Sequence, residues 1–440
     1  MTPNPKLNVF PFTIKFPEEK IAALQANIKS AVIPNNIDDT DGATGLKVAD
    51  FKTLMEYWQT QYRLDDELNA LNELPQFHTE IEGVDIHFIH ARSPHDNATP
   101  IILMHGWPST PFEFRRIIPT LTRPARPDDA FHVVAPSLPG FIFSKTQPGI
   151  GCTKSAVIFK ELMQRLGYDK YIVYGADLSN VVASMMVSKD PEKHCIGLHQ
   201  QGSICIPRLS IWSPWRSIKN LFSMMFAFPS RYERLKKQIM MRNYLQETSY
   251  LLDHCTKPRT IGLALSQSPV AAAVWIADKY VTWTDSTGVE LKEDMTKEER
   301  LQLFAEKLDI SRTQLQHCRV RMEEILTTIT LFILTESLPT SIDFYRNSLW
   351  LDPWAIYTDT EVPKVPVAIS EFTCDITWSP SWWISQQYGN VVQHNFHDKG
   401  GHFPALEYPD TVVCDIVEFK HRLNSKKPVR GGDGGKSKYE

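Results

Sequence analysis

A chain of 440 residues with 42% hydrophobic and 22% charged residues can bury a large core, as one domain with insertions or as two. A formal charge of −4 leaves no electrostatic footprint for nucleic acid or an anionic membrane surface, and neither is expected as a partner. Seven cysteines (152, 195, 205, 255, 318, 374, 414), odd in number and with no C-x-x-C, argue against a disulfide framework and for a reducing, cytoplasmic compartment.

The opening "MTPNPKLNVFPFTIKF" has no basic segment followed by an apolar run, so no signal peptide is expected. No apolar stretch reaches ~18 residues, so no membrane anchor is expected either. In "FPEEKIAALQANIKSAVIP", Pro17 suits a first helical position, and Ile21, Leu24 and Ile28 follow at helical spacing. Residues 48–64 read as another amphipathic helix. "QFHTEIEGVDIHFIHAR" (76–92) alternates around Glu82-Gly83, which predicts a hairpin. "TPIILMHGWP" (99–108) is a continuously apolar strand running into a Gly/Pro turn, and "FHVVAPSLPGF" (131–141) and "YIVYGADLS" (171–179) repeat that form. A helical segment, 155–167, lies between the last two.

Strand, turn, helix, strand predicts a parallel α/β sheet covered on both faces. Residues 365–375 and 390–403 read as two more strands and 409–423 as a closing helix. Between about 205 and 360 the chain turns helical and rich in Trp, Phe and Met, which predicts a cap on the sheet. Within it Thr296 and Glu299 form a candidate capping box, and "RYERLKKQIMMR" (231–242) reads as a solvated helix face. The tail, 426–440, is low in apolar residues and is expected to be disordered.

"YGADLSNVV" (174–182) has the spacing of a nucleophile elbow, with aspartate where serine is usual. Small residues at 175, 176 and 179 suit a sharp strand-to-helix turn that presents Asp177 at the sheet's carboxyl edge. A helix N-cap is the alternative reading of Asp177. A carboxylate nucleophile forms an ester, and opening that ester requires a general base and an oxyanion hole. His402 in "DKGGHFPALEYP" is the candidate base, on a loop that Gly400-Gly401 make pliable; an ordinary surface histidine is the alternative. "SEFTCDITWSP" offers Glu371 and Asp375 as orienting acid, and Asp375, at the strand's end, is favoured. "HGWPST" is the candidate oxyanion loop, with the backbone N–H groups of Trp107 and Leu178 as donors and a cis bond predicted before Pro108. His394, His397 and His402 could be mistaken for a metal site. Residues three apart on a strand face opposite ways, so none is expected.

The order Asp, Asp, His is that of an α/β-hydrolase triad. From about residue 9 to 423 the chain resembles the α/β-hydrolase-fold epoxide hydrolases, in particular the microsomal and juvenile-hormone branch with its fungal relatives. The resemblance rests on "PFTIKFPEEKIAALQ", "LNELPQFHTEIEGVDIHFIHARS", "HGWPSTPFEF", "SLPGFIFS", "CTKPRTIGLALSQSPVAAAVWIADKYVTW" and "GGHFPALEYP". It implies an α/β-hydrolase fold with residues 1–95 as an N-terminal meander wrapping the core. The core itself would span 96–204 and 361–425, with 205–360 as the cap. It also implies a pair of cap tyrosines, Tyr250 and Tyr345, that protonate the epoxide oxygen. A phenol of ordinary pKa about 10 keeps its proton at neutral pH, as that role requires.

The expected reaction opens an apolar organic epoxide to a vicinal diol without cofactor or metal. Asp177 forms the ester, and water activated by His402 and Asp375 hydrolyses it. Trp107, Pro108, Phe141 and Leu178 would line the pocket, and Trp212, Trp215, Phe222 and Phe226 suggest an apolar substrate, although core packing explains such residues equally well. Leu178 stands where the family has Trp, and the related haloalkane dehalogenases need that Trp to hold halide. Ile142 replaces a common glycine, His254 a usual Gln, and Trp382-Trp383 a single Trp. A biosynthetic ring-opening or cyclising enzyme with a dedicated substrate, and a non-catalytic binding protein, are the alternatives. A homodimer is compatible with the chain.

Overall fold

The computed structural model describes residues 8–34, 45–190, 192–203, 246–286, 314–352 and 364–425, with Trp215, Gly288, 295–296, 299–300 and 302–303. The basic stretch 231–242, the tail 426–440, and Trp212, Phe222 and Phe226 lie outside the described residues. Trp215 is exposed.

Nine strands form one sheet: β1 Val9–Phe12, β2 Gln76–Ile81, β3 Val84–Ala91, β4 Thr99–Met104, β5 Phe131–Pro136, β6 Tyr171–Ala176, β7 Cys195–Gln201, β8 Val367–Phe372 and β9 Val391–His397. Their order is β1-β2-β3-β5-β4-β6-β7-β8-β9. The first four pair antiparallel, and every pairing from β5 to β9 is parallel. The parallel centre follows from composition: "IILM" of β4 and all of β6 are buried, as continuous apolar runs must be when helices cover both faces. The hairpin forms as the alternation predicts. Ile81 pairs with Val84, and Glu82 and Gly83 both take positive φ (53° and 73°), the signature of a two-residue turn matched to strand twist.

Two strands escaped the sequence pattern. β7 reads "CIGLHQQ", whose polar half breaks an apolar run, yet His199, Gln200 and Gln201 are buried. Hydrogen bonds make that burial tolerable: His199 Nε2 to Ser370 Oγ at 2.8 Å, and Gln200 Nε2 to the Asn180 carbonyl at 3.1 Å. β1 has four residues and contains Pro11, which suits an edge strand only. The single helix expected over 48–64 is two, Val48–Thr60 and Leu64–Asn72. Arg63 is extended between them, and Asp65, Asp66 and Glu67 place acid at the second N-terminus.

The boundary expected at residue 95 cuts through the sheet, because β3 pairs with β5. The N-terminal strands therefore belong to the core sheet. The N-terminal helices clasp the cap as well as the core, through Lys20–Glu336 (2.6 Å) and a hydrogen bond from Tyr57 to Glu323. Between β7 and β8 the described elements are helical: Ser249–Thr256, Pro258–Ser266, Pro269–Thr282, Met322–Leu334 and Leu338–Tyr345, with short helical turns. Buried Glu324 ties this block to the core through Arg115 (3.0 Å) and Arg116 (2.7 Å). The Thr296–Glu299 box is present, with each backbone N–H donating to the other's side chain (2.7 and 3.2 Å). Among the described residues no single helix is long and apolar enough to cross a membrane, and the six described cysteines are unbridged.

Candidate active site

β6 ends at Ala176 and a helix starts at Ser179, so Asp177 occupies the turn. Its φ of 51° is left-handed, the strained elbow conformation that lifts a side chain clear of the sheet. Glycine is required on both sides. A Cβ on Gly175 would lie 2.5 Å from the Ser179 carbonyl oxygen, and one on Gly106 would lie 2.2 Å from the Asp177 Cβ. The Trp107–Pro108 bond is cis, and the Trp107 N–H donates to Asp177 Oδ1 at 3.1 Å. Leu178 stands beside it, buried, and opens the following helix. Ile142, at the position where glycine was expected, takes φ 38°, a conformation a β-branched residue rarely adopts.

His402 lies between two carboxylates. Its Nδ1 is 2.8 Å from Asp375 Oδ1 and its Nε2 is 3.3 Å from Asp177 Oδ2, the second an ion-pair approach without hydrogen-bond alignment. Burial alone would drive off the imidazole's proton, but the Asp375 and Asp177 carboxylates outweigh it and hold the pKa up at about 10. Glu371 sits within β8, where it accepts from Ser203 Oγ (2.7 Å) and faces His394 (3.3 Å). His397 turns instead to Asp415 at 2.7 Å. The three histidines thus diverge, and no cluster suited to a metal occurs among the described residues.

The loop carrying His402 is held by its backbone. The His402 N–H donates to the Trp283 carbonyl (2.8 Å), and Gln201 Nε2 donates to the His402 carbonyl (2.9 Å). Glu407 accepts from Gly401 and Phe403, the residues flanking His402 (3.1 Å each), and from Asp285 (2.8 Å). Burial pushes the Glu407 carboxyl up to about 8. A Cβ on Gly401 would meet the Trp283 carbonyl oxygen at 2.4 Å, so that loop needs glycine there.

The cap supplies aromatic rings. Tyr250 stacks on Trp107 (5.4 Å, 12° between planes), and Tyr345 meets both edge-on (6.0 and 5.9 Å). Burial, with the nearby Asp177 charge, pushes both phenols well above their ordinary pKa, so both stay protonated. Pro108 is buried beside Trp107. Phe141 contacts His105, Phe332 and Phe344, which places it in the core behind the loop.

Three residues at this site were not singled out from the sequence. Trp283 sits edge-on to His402 (5.2 Å) and beside Tyr250 (5.1 Å); its place in a long aromatic family motif was the only available signal. Glu113 is buried and is pushed up to about 7 by that burial. Glu407 follows His402 by five residues in the same motif. Buried polar atoms of the site that make no aligned hydrogen bond among the described residues include Trp107 Nε1, His254 Nδ1, Tyr345 Oη, Asp375 Oδ2 and His402 Nε2. Such atoms are costly unless something polar meets them, which marks the place where a ligand belongs.

A mostly parallel sheet of this strand order, with a strained acidic elbow at its carboxyl edge and a helical cap, defines an α/β-hydrolase. The family model for the alpha/beta hydrolase fold matches residues 99–225, and that for the epoxide hydrolase N terminus matches 9–114. A Stigmatella aurantiaca protein, provisionally named an epoxide hydrolase, is 30% identical over 95% of this chain and 86% of its own. The structure of Aspergillus niger epoxide hydrolase superposes with a TM-score of 0.74 at 29% identity, covering 94% of this chain and 96% of that one. That of juvenile hormone epoxide hydrolase from Bombyx mori gives 0.80 at 25%, covering 95% and 96%. The chain belongs to the epoxide hydrolase family, and it is a hydrolase of α/β-hydrolase fold.

Proposed function

We propose that this enzyme opens an apolar organic epoxide to a vicinal diol through a covalent ester on Asp177. The observation that carries the reading is the His402 imidazole held 2.8 Å from Asp375 and 3.3 Å from Asp177 at a strained elbow. Asp177 attacks a ring carbon from behind. The ring C–O bond breaks, and its oxygen takes a proton from Tyr250 or Tyr345. Two protonated phenols in a buried aromatic pocket support both the acid role and an apolar substrate.

The second step needs a base. Esterification removes the Asp177 charge, one of the two that hold a proton on His402, and the imidazole becomes easier to deprotonate. Its proton can replace the one the phenol gave up, and neutral His402 then takes a proton from water. The hydroxide formed attacks the Asp177 carboxyl carbon, with the Trp107 N–H (and, by its place in the elbow, that of Leu178) stabilising the oxyanion. The ester bond breaks at that carbon, and the diol leaves with the proton from His402. No step calls for a metal or an organic cofactor.

The test is one turnover in oxygen-18 water. Water opening the ester at its carbonyl puts the label in Asp177 and leaves the first diol unlabelled. Label in the first-turnover diol would overturn the covalent route in favour of direct attack by water.

A further inference from the structure

His254 lies one helical turn after Tyr250 on the helix Ser249–Thr256, so both face the same way. Its ring is fully buried and touches Trp107 (4.6 Å, edge-on), Tyr345 (5.0 Å) and Tyr250 (5.3 Å). It therefore sits among Trp107, whose backbone N–H meets Asp177, and the two phenols that feel the Asp177 charge. Its protonation is fixed by a partner on the other side: the Trp275 indole N–H donates to His254 Nε2 at 3.3 Å. An indole nitrogen can only donate, so Nε2 carries no proton and the ring's proton is on Nδ1. Burial and the neighbouring Lys279 ammonium push the imidazole down to about 3, so it stays neutral across the working range. The Nδ1–H thus points away from Trp275 and has no partner among the described residues. Its edge-on neighbour Trp107 carries a second buried N–H in the same condition.

A buried donor with no acceptor carries a desolvation penalty that an acceptor would relieve. The epoxide oxygen already has two phenols. We propose that His254 Nδ1–H is a specificity-determining donor that binds a second acceptor oxygen, an ether or carbonyl, carried by the substrate beside its epoxide ring. This inference rests on the epoxide-opening reading above and adds to it the kind of substrate favoured. A site built to donate a hydrogen bond discriminates strongly against a ligand that cannot accept one.

The experiment compares phenyl glycidyl ether, which carries such an oxygen, with styrene oxide, which does not. It uses wild type, His254→Phe and His254→Asn. The quantity read is the ratio of kcat/KM for the ether to that for styrene oxide. We expect wild type to favour the ether, His254→Phe to lower the ratio about tenfold, chiefly through KM, and His254→Asn to restore most of it by supplying an amide N–H. Equal losses on both substrates would mean that His254 only positions Tyr345, and would overturn the proposal, as would an unchanged ratio. Binding of the two corresponding diols, read by tryptophan fluorescence, requires no turnover. If folded wild type opens neither epoxide, the reading as a general epoxide hydrolase fails in favour of a dedicated substrate, and diol binding alone judges the donor. A preference for the ether diol that His254→Phe abolishes still upholds the donor, and no such preference overturns it.

Discussion

The core half of the site is held by hydrogen bonds and the cap half by ring contacts. Asp177, Asp375 and His402 are charged or chargeable, and each is fixed by backbone or carboxylate partners: the Trp107 N–H, the Asp375–His402 bond, and the Glu407 clamp on the His402 loop. Tyr250, Tyr345 and His254 are neutral and lie against Trp107 and one another. The difference follows the chemistry. Charge that must sit at one point needs directional partners. A neutral phenol needs burial to keep its proton and shape to meet the substrate, and stacked rings provide both.

The comparison breaks most visibly at His402. His402→Gln should slow diol formation roughly 10³-fold or more, because only the core provides a base. Alkylation should still occur, so a stoichiometric adduct on Asp177 should accumulate and be seen by intact-protein mass spectrometry. In the cap, Tyr250→Phe and Tyr345→Phe should each slow the first step only roughly 10- to 100-fold, because the other phenol remains. Rapid-quench measurement of ester formation separates that effect from hydrolysis, and a single tyrosine variant as damaged as His402→Gln would end the distinction drawn between the halves.

The last effect is on stability and not on rate, and it concerns Glu113, the buried carboxyl near the core charges. Burial raises it from 4.5 to about 7, so the folded state holds its proton more tightly than the unfolded chain does. Its contribution to stability is complete below pH 4.5 and is lost as pH rises to 7, on the order of 3 kcal/mol in all. Glu113→Gln should therefore flatten the fall in denaturation midpoint between pH 5 and pH 8. A variant whose slope matches wild type would show that Glu113 is already ionised at pH 5.

Much of the fold was legible because local patterns and tertiary environment agreed. The apolar runs of β4 and β6 predict buried parallel strands, and Glu82-Gly83 predicts the turn that forms. β7 was not legible, since Gln200 and Gln201 look like surface residues until their partners on neighbouring elements are seen. The break between Thr60 and Leu64 was hidden because both helices share one amphipathic run. In the site, the elbow could be read from small residues around Asp177, whereas Trp283, Glu113 and Glu407 carry no local signature.

By itself the sequence determined the chemistry-bearing positions: an acid in a turn that tolerates only small neighbours, a histidine after two glycines, and a Trp-Pro turn beside a strand. These are local properties, set by backbone sterics and by the residue types that chemistry requires. Only the tertiary structure decided which groups meet. It placed Asp375, and not Glu371, on His402, and it ran the N-terminal strands into the core sheet. It also turned His254 from a departure in a motif into a neutral donor with a fixed tautomer among three rings. Burial and partnership create those properties, and both depend on residues distant in the chain.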